Sequence, residues 1–226
     1  VTKIERWVGL VAVLNLGAIA VLSGPPYFSN ASRPVREISN PVLAMEVVRN
    51  VAEVDAILSD APSPDREVMR IKQYADFGFI CGYGALYVLM SLLLIQEGRT
   101  LAILAAVLGI LAAIFDVIEN LGILRIVDVD LAHTAQAMID AIRYPSLIKW
   151  ALASVALGLL GMLALRTRRT GLRIVGALNI LAALLGLYGL YSNVGLQWFT
   201  YFGPSGLICL AILYFRPYRR NTGRST

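Results

Sequence analysis

Asp116, Glu119 and Asn120 stand in the stretch Phe115-Asp-Val-Ile-Glu-Asn120, inside an otherwise uncharged run. Their i, i+3, i+4 spacing puts all three on one face of a helix. A carboxylate turned toward hydrocarbon costs about 3 kcal/mol or more, so this face is expected to look into a bundle or a wet cavity. Ala112 and Ala113 precede the acids, and small residues let a neighbouring helix approach. Two carboxylates this close in a low dielectric do not both ionise cheaply unless a lysine or a metal compensates. Groups of this kind trade protons, which suits general acid–base catalysis or proton coupling.

Other polar residues are expected at the same depth. Asp76 opens the second apolar run at its outer end, with Tyr83 and Tyr87 further in on nearly the same face. Lys149 falls in the first turn of the fourth run. In this reading Asp116 and Glu119 are acid and base, and Lys149 binds an anionic group or sets their proton affinities. Asp76, Tyr83, Tyr87 and Asn120 then hold the substrate. The competing reading is a structural ion network, or a lysine that snorkels from a helix end. No motif points to a metal or a cofactor. The single histidine, His133, excludes sites that need several imidazoles.

Gly203-Pro-Ser-Gly206 resembles the serine motif of the rhomboid intramembrane proteases over four residues. That resemblance implies a serine paired with a histidine two helices later. Here His133 precedes Ser205 and lies in a connection, so the pairing fails. Pro204 between two glycines is better read as a kink or interruption, of the kind that often lines ligand sites, which adds Ser205 to the candidate binding residues.

The elements that position these groups follow from composition. Of 226 residues, 58 % are hydrophobic and 15 % charged, against about 45–50 % and about 25 % in soluble domains. This excludes a disordered chain, a disulfide-stapled secreted module and almost any soluble enzyme. A bilayer core about 30 Å thick needs roughly 20 apolar residues per helix. The runs give six spans, at about 7–24, 77–96, 101–124, 147–165, 174–191 and 198–215. Turn residues from Tyr191 to Gln197 divide the last two. Lys3, Arg6 and Ala18-Ile-Ala20 could mark a secretory signal, but the segment is read as a helix of the bundle. The expected fold is an all-α polytopic membrane protein.

Lys and Arg counts in alternate connections set the orientation. One side holds 11 basic residues, from Lys3 and Arg6 through Arg99, Arg166 and Arg173 to Arg216, Arg219, Arg220 and Arg224, opposed only by Glu5 and Glu97. The other holds 9 basic residues and 13 acids. Both termini are therefore expected in the cytoplasm, in a bacterial inner membrane. Arg166-Thr-Arg-Arg169 reads as a topology signal that meets anionic lipid rather than nucleic acid. Trp150, Trp198 and Tyr201 suit an outer aromatic belt, and Trp7, Tyr214 and Tyr218 an inner one. Cys81 and Cys209 read as buried small apolar residues. Gly78 and Gly82 favour close helix packing, with a homodimer as a further expectation.

Residues 25–75 form the expected extracytoplasmic helical segment. Asn40-Pro41 is a cap with proline at the first helical position. Leu43, Val47, Val51, Val54 and Leu58 then recur at helical spacing, with Glu46, Arg49, Asn50 and Glu53 opposite, which predicts one amphipathic helix. Ser63-Pro64 starts another helix running toward the second span. Asp130 to Arg143 reads as a further amphipathic segment ended by Tyr144-Pro145, and the segments together make a candidate lid. The leading function is an enzyme performing isomerisation, cyclisation or elimination on a lipid-like or isoprenoid-like molecule. The expected partners are membrane lipids and a small apolar or amphipathic ligand. One alternative is a small proton-coupled transporter using Asp116 and Glu119 as a relay. The other is a non-catalytic membrane partner or assembly protein.

Overall fold

The computed structural model describes residues 3–32 and 34–215; Arg216, Tyr218, Arg219, Arg220 and Arg224 lie outside them. Among the described residues the chain is all-helical. Its helices are α1 (Lys3–Ser23), α2 (Pro41–Glu46), α3 (Val51–Leu58), α4 (Pro64–Leu93), α5 (Arg99–Val127), α6 (Gln136–Arg166), α7 (Thr170–Gly189) and α8 (Asn193–Phe215), with three short 3-10 turns. Six of them, α1 and α4 to α8, are long and apolar enough to cross a membrane, the make-up of an integral membrane protein.

The six long helices pack in chain order, each on the next, and α1 with α8 closes the ring. α5 shows why. Its outward face carries Ile103, Val107, Ile110, Ile114, Ile118 and Leu121, all exposed. Its inward face carries Ala102, Ala105, Gly109, Ala112, Asp116, Glu119 and Asn120. Large apolar groups face out and small or polar groups face in, the reverse of a soluble amphipathic helix and the arrangement that lipid selects. α6 and α7 approach closest at Gly161 and Gly176, where a Cβ on Gly161 would stand 2.6 Å from the carbonyl oxygen of Gly176.

Side chains tie the two ends of the ring. At one end Arg166 donates to Glu97 O at 3.1 Å, and Arg169 to Leu213 O at 2.6 Å and Tyr214 O at 3.0 Å. At the other end Lys72 Nζ donates to Val21 O at 3.2 Å and to Gly24 O, closing the C-terminus of α1. Beyond it lies the layer built by α2 and α3. There Ile38, Leu43, Met45, Val48, Val54 and Leu58 pack on Met69, Ile123, Ile126, Ile139 and Ile142.

Three expectations are corrected. First, while α4 runs from Pro64 into the second span as expected, α6 too starts well before its apolar run. They span 30 and 31 residues, about 45 Å at 1.5 Å per residue, and so outrun a core of about 30 Å. α6 does not end at Tyr144-Pro145 but passes through it. Proline removes the bond to the Ala141 carbonyl, and Gly122 of α5 lies beside that carbonyl, where a Cβ would stand 3.4 Å from it. α8 likewise continues through Pro204 without interruption. Second, the amphipathic segment 41–58 is two helices. Asn50 Oδ1 accepts from Glu53 N at 3.0 Å and Glu53 Oε2 accepts from Arg49 N at 2.8 Å, a capping arrangement that starts a new helix. Third, Cys81 and Cys209 are exposed on the outer surface, not buried.

Candidate functional site

Lys149 lies near the middle of α6, because the helix begins at Gln136. A lysine there cannot snorkel past a helix end. It is 4 % exposed, and three carboxylates from two other helices surround its ammonium. Asp116 Oδ1 is 2.7 Å from Nζ, Glu119 Oε1 and Oε2 are each 2.9 Å away, and Glu46 Oε2 is 3.0 Å away. The ammonium donates to Asp116 and Glu119 and stands in ion-pair contact with Glu46. The same Nζ sits 4.8 Å from the centroid of the Trp150 ring.

Around this centre the remaining groups are held one by one. Asp116 Oδ2 accepts from the Tyr83 hydroxyl at 2.9 Å. Asp76, two turns before Tyr83 on α4, accepts from Asn120 Nδ2 at 2.8 Å and adds a fourth carboxylate. Asp76 is thus inside a long helix, not at its start. Asn120 bridges α5 to α4 as a cross-helix hydrogen bonder. Tyr87 turns away from the acids and donates to Ala153 O at 2.9 Å, with its ring seated on Gly109.

Glu46 was assigned to the polar face of an amphipathic helix, and the structure overturns this. The break after α2 turns it inward, to 8 % exposure. Besides Lys149, its Oε2 accepts from Trp150 Nε1 at 2.8 Å and meets Ser146 Oγ at 3.4 Å. Burial pushes the Glu46 carboxyl above its ordinary range, opposed by the Lys149 charge and reinforced by Asp116. Trp150, expected in an aromatic belt, is instead part of this site. The signal for Glu46 was present in the sequence: Asn50 followed three residues later by Glu53 is a helix start, and it detaches Glu46 from the face it would share with Arg49 and Glu53.

A cavity of about 60 Å³ lies against the cluster, between α4, α6 and α8. Asp116 and Lys149 form its polar wall. Phe79, Tyr83, Tyr87, Trp150 and Phe199 supply aromatic walls, and Gly203, Pro204 and Leu207 of α8 complete it. It has room for a few water-sized groups. Glu119, at 0 % exposure, stands behind Asp116 and does not line it. Ser205 does not belong to the site. One residue beyond Pro204 the helix has turned by about 100°, and Ser205 faces a separate groove of about 440 Å³ between α7 and α8, with Asn179 and Cys209. His133 is exposed in the turn Leu131–His133.

Among the described residues no group of three or more His, Cys, Asp or Glu side chains is arranged to hold a metal ion. The ammonium of Lys149 occupies the centre that a cation would take among Glu46, Asp116 and Glu119. Chemically the set is three carboxylates, one ammonium and one phenol in contact, with Asp76 joined through Asn120 and a single carboxylate, Asp116, presented to an apolar space. The opposite half of the bundle interior is packed by Leu86, Met90, Leu94, Ala105, Leu157, Leu160, Leu163 and Leu210, and it offers no matching relay. Comparison with protein-family models, curated proteins and solved structures finds no match for this chain.

Proposed function

We propose that the protein is an integral-membrane enzyme that moves protons on an apolar, lipid-like or isoprenoid-like molecule at the Lys149 cluster. The observation that carries this reading is the imbalance of the cluster beside its cavity. One ammonium faces three buried carboxylates, Glu46, Asp116 and Glu119, with the half-buried Asp76 joined through Asn120. Leaving a carboxylate charged and unpaired in such a place costs several kcal/mol, and burial favours a proton on Glu46. Asp116 is the member that meets the cavity and is assigned as the group that gives and takes the substrate proton. Tyr83 orients it. Glu119 and Glu46 fix Lys149, which fixes Asp116 in turn. Three carboxylates already surround the Lys149 ammonium, so its role in this reading is to set the charge of its neighbours.

The orientation inferred from Lys and Arg places this cavity in the outer half of a bacterial inner membrane, with both termini in the cytoplasm and α2 and α3 as an extracytoplasmic layer above it. A substrate then enters sideways from the outer leaflet. Isomerisation, cyclisation or elimination suits a site with acids, a phenol and no nucleophile motif. Proton-coupled transport is disfavoured by the apolar packing of the other half of the interior.

The test is proton exchange. Purified protein is incubated with bacterial lipid extract in deuterated water, and lipids are examined by mass spectrometry. Wild type is expected to place deuterium at a carbon position of one lipid class, and Asp116→Asn to lose that transfer with its fold intact. Equal labelling by the two proteins, or none by either, would count against the enzyme reading.

A further inference from the structure

At the end of the bundle that carries α2 and α3, most basic side chains have an evident partner. Arg66 and Lys72 donate to backbone carbonyls, Arg70 pairs with Glu67 and Asp128, and Lys149 lies among its carboxylates. Arg49 and Arg143 differ. Among the described residues neither guanidinium makes an ion pair or donates a hydrogen bond. Arg36 meets only Glu53, at 3.4 Å, and its Nε is buried without a partner. These three arginines come from separate parts of the chain and converge. The segment from Glu46 to Arg49 runs along α6: Glu46 Oε2 meets Trp150 Nε1 and Ser146 Oγ, and Arg49 O accepts from Gln136 Nε2 at 3.0 Å. Arg143 lies between those contact points, about two turns beyond Gln136. Glu53 joins the other two, since its Oε2 accepts from Arg49 N at 2.8 Å while its Oε1 faces Arg36 Nη1. Asn193 of α8 fixes Arg36 in turn, donating from Nδ2 to its carbonyl at 3.1 Å. Partial desolvation, and then the charges of Arg36 and Arg143, lower the proton affinity of Arg49, with Glu53 opposing. Asp140 accepts from Gln136 Nε2 at 3.0 Å and makes no ion pair with Arg143. Three guanidiniums thus share one carboxylate.

We infer that Arg36, Arg49 and Arg143 form a binding site for a phosphate group, carried by the headgroup of a membrane lipid. A guanidinium presents its N–H donors as a planar fork that matches phosphate oxygens in pairs, which a lysine cannot do. Guanidiniums held this close repel one another, and a phosphate between them turns that repulsion into attraction while giving the buried Nε of Arg36 an acceptor. Exposed aromatic rings argue for a lipid as the source. Tyr144, beside Arg143, is 57 % exposed, and Trp198, on α8 beyond Asn193, is 53 % exposed. Amphipathic rings of this kind gather at headgroup level. The site stands apart from the Lys149 cluster and does not rest on the acid–base reading of that cluster.

The probe is dihexanoyl phosphatidic acid, titrated below its micellar concentration into full-length protein in neutral maltoside detergent and followed by calorimetry. Dihexanoyl phosphatidylcholine, whose phosphate charge is balanced by choline, and pyrophosphate are the comparisons. The phosphatidic acid is expected to bind about tenfold more tightly than the phosphatidylcholine, and to weaken as salt is raised. Arg49→Gln and Arg143→Gln remove a guanidinium and leave the backbone contacts in place. Each is expected to weaken the phosphatidic acid about tenfold with the melting temperature unchanged. Arg125→Gln removes an exposed arginine from the last turn of α5, at the same end of the bundle, and is expected to leave binding as it was. Equal affinity for the two lipids, or no loss in Arg49→Gln and Arg143→Gln, would overturn the inference. So would an equal loss in Arg125→Gln, which reports net charge alone. Pyrophosphate separates the sources. Bound much more weakly than the lipid, it supports the headgroup; bound as tightly and lost in the same two variants, it keeps the phosphate site and makes its ligand soluble.

Discussion

Two groups of buried charge in this molecule are built on opposite plans. Near the ends of α1 and α5, Asp65 accepts from Ser29 N at 2.6 Å, Ser29 Oγ at 2.7 Å and Asn30 N at 3.2 Å. Arg66 donates to Ile126 O, Val127 O and Val129 O at 2.6–3.1 Å, and Lys72 to Val21 O and Gly24 O. Each of these charges meets neutral backbone or a hydroxyl, and each closes a helix end or a turn. Their partners do not titrate, and their contacts tie helix ends and turns together. Lys149 pairs instead with carboxylates, Glu46, Asp116 and Glu119, beside the Trp150 ring. Burial of charge is common to both regions; the nature of the partner, neutral in one and titratable in the other, separates them.

The contrast can be broken first at the two lysines. Lys149→Met leaves Asp116, Glu119 and Glu46 facing one another and is expected to cost about 3–5 kcal/mol of stability. Adding Glu46→Gln, Asp116→Asn and Glu119→Gln removes the stranded charge and is expected to recover most of that loss, read as melting temperature in detergent. Next, Asp116→Asn is expected to lower deuterium transfer at least about 100-fold, the scale of a lost general acid or base, with little change in melting temperature. Lys72→Met strands only carbonyls and is expected to cost about 1–3 kcal/mol, with no second side-chain substitution that restores it.

A smaller effect sharpens the same point through pH. The folded chain holds the Glu46 proton more tightly than the unfolded chain does. Its contribution to stability is therefore full below the ordinary carboxylate range and is lost as pH rises through the folded value. The groups facing it are Lys149, Trp150 and Ser146 on α6 and Asp116 on α5. Melting temperature is expected to fall as pH rises across that interval in wild type, and to flatten in Glu46→Gln. Least of all, Ser205→Ala is expected to change stability by no more than about 0.5 kcal/mol and transfer not at all.

The sequence reaches the site unevenly, for physical reasons. Asp116, Glu119 and Asn120 were legible because helical spacing and the cost of charge in lipid act within one run. Six spans were legible from apolar length alone. Lys149 was placed at a helix end because hydropathy marks where lipid begins, not where a helix begins, and α6 runs through Pro145 on the support of Gly122. Glu46 and Trp150 were assigned elsewhere because their roles depend on a break between α2 and α3, whose cap at Asn50 was outweighed by an apolar repeat that continues across it. Ser205 was drawn in by the kink expected at Pro204, which a continuous helix turns to the other side.

The central claim is that the carboxylate cluster around Lys149 retains a proton, at Glu46, beside an apolar cavity. Infrared spectra of the full-length protein at neutral pH test it directly. A carbonyl band of protonated carboxylic acid is expected, shifted in deuterated water and diminished in Glu46→Gln. A spectrum with only ionised carboxylate bands, unchanged by that substitution, would contradict it.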